Sequence, residues 1–305
     1  MKEIKLRAYA KINLSIDVLG KRDDGYHDVS MVMQQVDLWD EVTVTSHEGF
    51  RPRSVTVTSN LDNLPVDESN IAYKAARLML PRFCEREGDS IGIRLEKRIP
   101  VAAGLAGGSA DGAAVLHALN HLWGLGLTLS DLMELGAELG ADVPFCIMGQ
   151  AALHPELRFN DGQASTCALA GGIGEMLAPL PPLAAWVVLS KPPVQVSTAE
   201  IYGALKLEEI KERPDTEGII QGLHEQDFTK VSEGMFNVLE PVSTERFPEI
   251  LNIKNRMQKN SGLYKTMMSG SGPTVFAVTP DKATAEQIYN GINNINAATY
   301  LVRTI

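Results

Sequence analysis

The sequence predicts an α+β fold in two domains. Three observations carry this. The chain has 305 residues, more than one hydrophobic core ordinarily uses. Strand-like and helix-like segments follow one another irregularly, not in the strict β–α order of a parallel sheet. A proline-rich stretch, LAPLPPLAAW at 177–186, interrupts the pattern and is the best place for a boundary. The domains are therefore expected at 1–182 and 183–305.

The elements follow in order. Residues 4–20 read as a strand ending in the turn-prone KRDDG. Residues 29–46 read as strands on either side of a turn-like DLWD, and RSVTVTS at 53–59 alternates like an exposed strand. NIAYKAARLMLPRF places Ile71, Ala75, Leu78 and Met79 at helical spacing, and SIGIRLEKRIP returns to strand. A glycine- and alanine-rich loop then leads into an amphipathic helix, PVAAGLAGGSADGAAVLHALNHLW. TLSDLMELGAELG predicts a helix with Ser130 as its N-cap, and the apolar run Val143–Met148 is expected as a strand. Beyond the boundary, WVVLS is a strand, STAEIYGALK starts a helix, and 209–232 is polar and helical. A glycine-serine turn, SGSGP, enters the strand TVFAV. ATAEQIYNGI is a helix and ATYLVRTI the closing strand.

Composition excludes several classes. No apolar run reaches the ~18 residues of a membrane span, and the N-terminus lacks the apolar block of a signal peptide. Cytoplasm is the expected location. Cys84, Cys146 and Cys167 suit neither a zinc site nor a disulfide framework. A net charge of −10 makes a poor nucleic-acid binder. Neither nucleic acid nor membrane is expected as a partner. A small-molecule substrate is, with the chain a monomer or weak homodimer.

Three places carry candidate chemistry. Glycines before a helix let a phosphate approach the unpaired N–H groups of its first turn. The same glycines could equally permit a tight turn. GLAGGS has no Lys-Ser/Thr pair and no dinucleotide spacing, so a phosphate loop here is of another kind. Ser109 could add a donor or touch a bound metal. Lys11 lies inside an otherwise apolar strand, as an edge charge or as a buried functional amine. Asp142 is a solvated loop carboxylate or a base. Together, an anion cradle, a cation and a carboxylate are the parts that phosphoryl transfer needs. His117 and His121 lie four apart on one helix, but no third metal ligand is evident.

PVAAGLAGGSADGAA resembles the phosphate loop of the GHMP kinases. AKINLSIDVLGKRDDGYH, GLAGGSADGAA, LGADVPF and SGSGP, in this order, resemble the branch of that family that acts on cytidine diphosphate methylerythritol, in the non-mevalonate isoprenoid pathway. The resemblance implies an N-terminal domain like the second domain of ribosomal protein S5, a ferredoxin-like C-terminal domain, and a left-handed βαβ crossover. It implies ATP and Mg²⁺, and phosphorylation of the substrate's C2 hydroxyl by direct in-line transfer.

Carried over residue by residue, it gives Asp142 the role of base and Lys11 that of its partner. Gly104, Leu105, Ala106, Gly107, Gly108 and Ser109 would cradle the ATP phosphates. Asn70 and Lys97 match positions near adenine and ribose, with Arg98 as an alternative to Lys97. Asn13, Tyr26, His27, Tyr202, Gly270 and Gly272 would hold the substrate, Tyr26 by stacking and His27 through the base edge. No residue is implied as a resident metal ligand. Two departures stand out. Ala110 and Gly112 replace a common serine and alanine. Between GQAAL and GGIGE, HPELRFNDGQASTCALA adds roughly fifteen residues, a loop length that costs little in closure entropy. This segment is expected as a loop with Cys167 as an exposed thiol.

Overall fold

A computed structural model describes residues 2–47, 54–83, 90–157, 162–259, 262–296 and 298–305. Cys84 and the Asn160-Asp161 turn lie outside the described residues. No helix among the described residues is long and apolar enough to cross a membrane.

The chain opens with two long strands, β1 (Lys2–Lys21) and β2 (His27–His47), which pair. β3 (Ser54–Ser59), α1 (Ile71–Phe83) and β4 (Ser90–Glu96) form a βαβ unit in which β3 and β4 are parallel. α2 (Gly107–Trp123), α3 (Leu129–Ala137) and α4 (Val143–Leu153) follow. Next come β5 (Cys167–Gly171), β6 (Met176–Leu180), β7 (Trp186–Ser190) and α5 (Thr198–Ala204). The remainder is α6 (Thr216–Glu225), α7 (Phe228–Gly234), α8 (Glu240–Arg246), α9 (Pro248–Met257), β8 (Lys265–Met268), β9 (Val275–Thr279), α10 (Lys282–Ile292) and β10 (Thr299–Arg303).

The residues sort into two compact units, each drawn from several stretches. The first takes Met1–Ala10, Leu38–Ile99 and Ala106–Ser165. Within it, β2 pairs antiparallel with β4 from Glu41↔Glu96 to His47↔Ser90. Val42, Val44, Ile91, Ile93 and Leu95 of this sheet share one core with Ala72, Ala76 and Met79 of α1 and with Ala113, Ala114 and Leu116 of α2. Small residues let α1 and α2 approach closely. A Cβ on Gly112 would lie 2.6 Å from Ile71 Cγ2, so glycine serves this α2 where alanine would press on its neighbour.

The second unit takes Lys11–Asp37, Pro100–Leu105 and Thr166–Ile305. Here Met31–Gln34 of β2 pairs with β5, and β5 pairs with β6, both antiparallel. A second sheet has the order β10-β7-β9-β8, antiparallel throughout. Its central strands are apolar and buried, and α9 and α10 pack on it.

Several sequence expectations need correction. DLWD is no turn: β2 runs through it, with Leu38 and Asp40 buried and Asp37 exposed. Alternation simply continues, and Lys97 compensates the buried Asp40 charge. Val143–Met148 is not a strand but the first half of α4. A short apolar run does not distinguish a buried strand from a buried helix, and Pro144 suits the first helical turn. The cap of α3 is Thr128, not Ser130. Thr128 Oγ1 accepts from Asp131 N at 3.1 Å, and Asp131 Oδ2 accepts from Thr128 N at 2.8 Å, a capping box. The 209–232 stretch breaks into α6 and α7, capped by Asp215 and Asp227. Cys167 is a buried strand residue rather than an exposed loop thiol, and burial pushes its pKa up. β5 thus takes up the end of the additional segment, and Gln35 N donates to Thr166 O at 2.8 Å just before it.

Candidate functional site

Lys11 sits on β1 where the strand is buried on both faces, which leaves it 4 % exposed. Its Nζ donates to Asn13 Oδ1 at 2.8 Å, and its backbone N donates to Leu105 O at 3.1 Å. Asn13 Oδ1 also accepts from Gly270 N at 3.1 Å. The AKINL strand, the glycine loop and the SGSGP turn are therefore joined within the second unit.

The loop and the turn touch through backbone. Ser269 Oγ donates to Gly104 O at 2.9 Å. Gly104 has φ +72°, and a Cβ there would lie 2.5 Å from Ser269 O and 2.8 Å from Gly272 O. Only glycine supplies both the left-handed conformation and the missing bulk. Gly270 and Gly272 have φ +62° and +95°. Asn237 Nδ2 donates to Met268 O and Gly270 O at 2.8 and 2.9 Å, and Ser243 Oγ donates to Ser271 O at 2.9 Å. Sequence reasoning missed Asn237 and Ser243. An isolated buried polar residue in FNVLEP is the signal that could have found the first. A single serine on α8 offered none.

The cytidine candidates also lie in the second unit. The His27 and Tyr202 rings are 5.3 Å apart between centroids at 44°, which sets an α5 ring against His27. Tyr26 is 60 % exposed. Asp24 Oδ1 accepts from Tyr26 N at 3.0 Å, and Arg22 N donates to Tyr26 O at 2.8 Å. These bonds fix the DDGYH turn around Gly25, φ +88°. Burial, then the nearby Lys21 charge, holds His27 below its ordinary pKa. A neutral imidazole offers one donor and one acceptor to a base edge.

The first unit holds the other candidates. α2 starts at Gly107 after Ala106, which has φ 57° and makes no side-chain cap. Gly108 is exposed and Ser109 half-buried. The first N–H groups of a helix have no intrahelical acceptor, and no capping side chain takes them up here. Asp142 is half-buried at the N-cap of α4 and makes no capping hydrogen bond with its side chain. Asn70 caps α1: Ala72 N donates to its Oδ1 at 2.9 Å, and its Nδ2 donates to Pro65 O at 2.7 Å.

Lys97 and Arg98 part ways. Lys97 Nζ is buried 2.5 Å from both Asp40 Oδ2 and Asp111 Oδ2. Arg98 is exposed and its guanidinium lies over the Trp39 ring, 3.7 Å from the centroid. Burial works to lower the Lys97 pKa, but the charges of Asp111 and Asp40 hold it above its ordinary value. Burial pushes Asp111 up to about 7, with Lys97 opposing and Asp40 reinforcing. Neither aspartate was singled out from the sequence. Asp40 was masked by the turn-like look of DLWD, and Asp111 by its place in a solvent-like loop composition.

Among the described residues no three His, Cys, Asp or Glu side chains gather to hold a metal ion.

The chain matches two family models: the GHMP kinases N-terminal domain over residues 70–150, and the GHMP kinases C-terminal domain over 219–298. It is 43 % identical over 305 residues to a 4-diphosphocytidyl-2-C-methyl-D-erythritol kinase of Alkaliphilus metalliredigens, covering 100 % of this chain and 97 % of that one. It is 46 % identical over 303 residues to the kinase of the same name from Exiguobacterium sibiricum, covering 99 % and 98 %. A crystal structure of 4-(cytidine 5'-diphospho)-2C-methyl-D-erythritol kinase superposes with a TM-score of 0.76 at 28 % identity, over 99 % of each chain. Homoserine kinase from Cytophaga hutchinsonii shares the fold, with a TM-score of 0.72 at 21 % identity over 100 % and 95 % of the chains.

Proposed function

The chain belongs to the GHMP kinases, ATP-dependent kinases of alcohol groups, and on that premise we propose that it phosphorylates the C2 hydroxyl of 4-diphosphocytidyl-2-C-methyl-D-erythritol in the non-mevalonate isoprenoid pathway. The observation that carries the choice of acceptor is the His27–Tyr202 ring pair beside the exposed Tyr26. A flat base can stack on the exposed Tyr26 ring with its edge toward His27, and an acceptor without a base has no use for them. The full-length identity to kinases of that name supports the same reading.

The parts have distinct tasks. Asp142 accepts the proton of the C2 hydroxyl as its oxygen bonds to the γ-phosphorus of ATP. The bond from that phosphorus to the β,γ-bridging oxygen breaks in line, and ADP leaves. Lys11 is the partner of Asp142 in the reaction and offsets charge on the moving phosphoryl group. Asn13, fixed by Lys11 and by Gly270, orients the acceptor near its reacting end. The glycine run from Gly104 to Gly108, with Leu105 and Ala106, and then Ser109, receives the phosphates. Asn70 and Lys97 serve the nucleotide end, and Gly270 and Gly272 shape the turn toward the acceptor. Residues 1–182 are assigned to ATP and 183–305 to the acceptor's second wall.

Mg²⁺ fits as part of the MgATP substrate. An ion held mainly by phosphates and water needs few protein ligands, and the Ser109 hydroxyl would be its protein contact. Mg²⁺ supplies charge neutralisation on the phosphates when bound.

Purified protein is assayed for ADP release with MgATP and the cytidyl acceptor, against mevalonate, homoserine and galactose. Turnover restricted to the cytidyl acceptor is expected; turnover with another alcohol alone would keep the kinase and discard the cytidine pocket. Asp142→Asn is expected to bind both ligands and lose most turnover, by roughly 10²- to 10⁴-fold for a lost general base. A near-normal rate in that variant would remove the assigned role.

A further inference from the structure

Asp40, Lys97 and Asp111 form a cluster that phosphoryl transfer does not use directly. Their side chains are 0 %, 3 % and 3 % exposed. Two carboxylates and one ammonium out of water are a costly way to fill space, and an apolar trio of similar volume is often as stable or more so. Such a cluster therefore calls for a reason other than stability.

Its connections suggest one. Asp40 Oδ1 accepts from Arg98 N at 2.5 Å and from Ile99 N at 2.8 Å. Those bonds pin the chain as it leaves β4. Lys97 Nζ then bridges to Asp111 Oδ2 in the second turn of α2. Above them sits Gly107. A Cβ there would lie 3.0 Å from Ile99 Cγ2 and 3.5 Å from Lys97 Nζ, so the start of α2 rests on the two residues that the cluster fixes. The helix has no capping side chain to set its start from above.

We propose that Asp40, Lys97 and Asp111 are positioning residues that hold the first turn of α2 in register for the ATP phosphates, Lys97 acting on the nucleotide through Asp111 and Gly107 rather than by touching it. This rests on the reading of that turn as the phosphate cradle. Residues Gly107, Gly108 and Ser109 present rigid N–H groups only if the helix start cannot slide. The clamp ties that start to the sheet by two charge-assisted hydrogen bonds, the strong kind. Asp111 Oδ1 is buried and has no hydrogen-bond partner among the described residues.

The test compares Asp111→Asn with Asp111→Ala. The alanine variant leaves Lys97 and Asp40 as a matched buried pair, so it retains charge balance, but it cuts the tie to α2. The asparagine variant keeps an acceptor for Lys97. Kd for a fluorescent ATP analogue is measured by direct titration without acceptor, alongside kcat and KM for both substrates and the thermal midpoint. Asp111→Ala is expected to raise Kd and KM for the nucleotide roughly 10- to 100-fold, the scale of a misplacement near 1 Å, with KM for the acceptor unchanged. Asp111→Asn is expected to stay close to wild type. Wild-type nucleotide affinity in Asp111→Ala overturns the clamp. So does equal weakening of both substrates with a lowered midpoint, which would be a structural role alone. Should wild-type protein fail to bind the analogue, the phosphate-cradle reading itself falls, a result separable from failure of the clamp.

Discussion

Gly104→Ala tests the contact between the glycine loop and the SGSGP turn. The added Cβ would sit 2.5 Å from Ser269 O and 2.8 Å from Gly272 O. Ordinary C···O approaches are about 3.3 Å or longer, and both obstacles are backbone. The turn cannot retreat easily, because Asn237 and Ser243 hold it. The left-handed φ of +72° adds roughly 1 kcal/mol for a residue with a Cβ. Overpacking adds about 1–3 kcal/mol, and loss of the Ser269 Oγ–Gly104 O hydrogen bond about 1 kcal/mol. The whole is about 3–5 kcal/mol, set against keeping the loop in place. The loop is expected to leave the turn instead, so that kcat/KM falls by roughly 10²-fold or more, the scale of a displaced reacting geometry.

Gly126→Ala is the control. It has nearly the same φ, +70°, with nothing within 4 Å of its Cβ, so it carries the strain of about 1 kcal/mol alone. Coupled ADP release and thermal unfolding are measured on both variants. Equal midpoints and equal kcat/KM would refute the claim that backbone contact, rather than glycine conformation, makes Gly104 necessary.

Further expectations concern the cytidine wall, two buried titratable groups and one thiol. Tyr202→Ala is expected to raise KM for the cytidyl acceptor by roughly 5-fold, from a ring contact of about 1 kcal/mol, with KM for ATP unchanged; steady-state kinetics with each substrate varied reads this. His117 is buried with Nε2 2.9 Å from Ile147 O, and burial lowers its pKa to about 4. The unfolded chain binds that proton from about pH 6.5 downward, so stability falls between pH 6.5 and 4, by about 3 kcal/mol in all. Asp111 works in the opposite sense. Its pKa is raised to about 7, so its contribution is greatest at low pH and is lost as pH rises through 7. In urea titrations across pH 4–8, His117→Gln should therefore lessen the loss as pH falls below 6.5, and Asp111→Asn the loss as pH rises from about 4 to 7; unchanged slopes in either variant would contradict the assignment. Cys167, buried and with a raised pKa, should resist a thiol reagent in the native protein and label on unfolding, read by peptide mass.

The fold class and the candidate groups are legible in the sequence, and for a physical reason. A phosphate cradle needs bare backbone at a helix start, and glycine runs advertise that locally. An amine or a carboxylate in an apolar segment advertises itself too, which is why Lys11 and Asp142 could be named. What the local pattern hid was compensation at a distance. Asp40 looks like part of a turn until Lys97, 57 residues later, is seen to take its charge. Only then does the strand through DLWD make sense, because a buried carboxylate needs a partner before alternation can continue past it. Asn237 shows itself in sequence only as a lone polar residue: its work is to donate to two carbonyls of a turn 31 and 33 residues away. The reading of Val143–Met148 as a strand failed for a different cause. α4 is buried on every side from Val143 to Ala151, so it has no polar face, and periodicity carries no information where every face is core. The positions that escape a sequence reading here are thus the supports rather than the groups meant to touch substrate. A group that meets a ligand must carry its own chemistry, whereas a support is defined by what it pairs with.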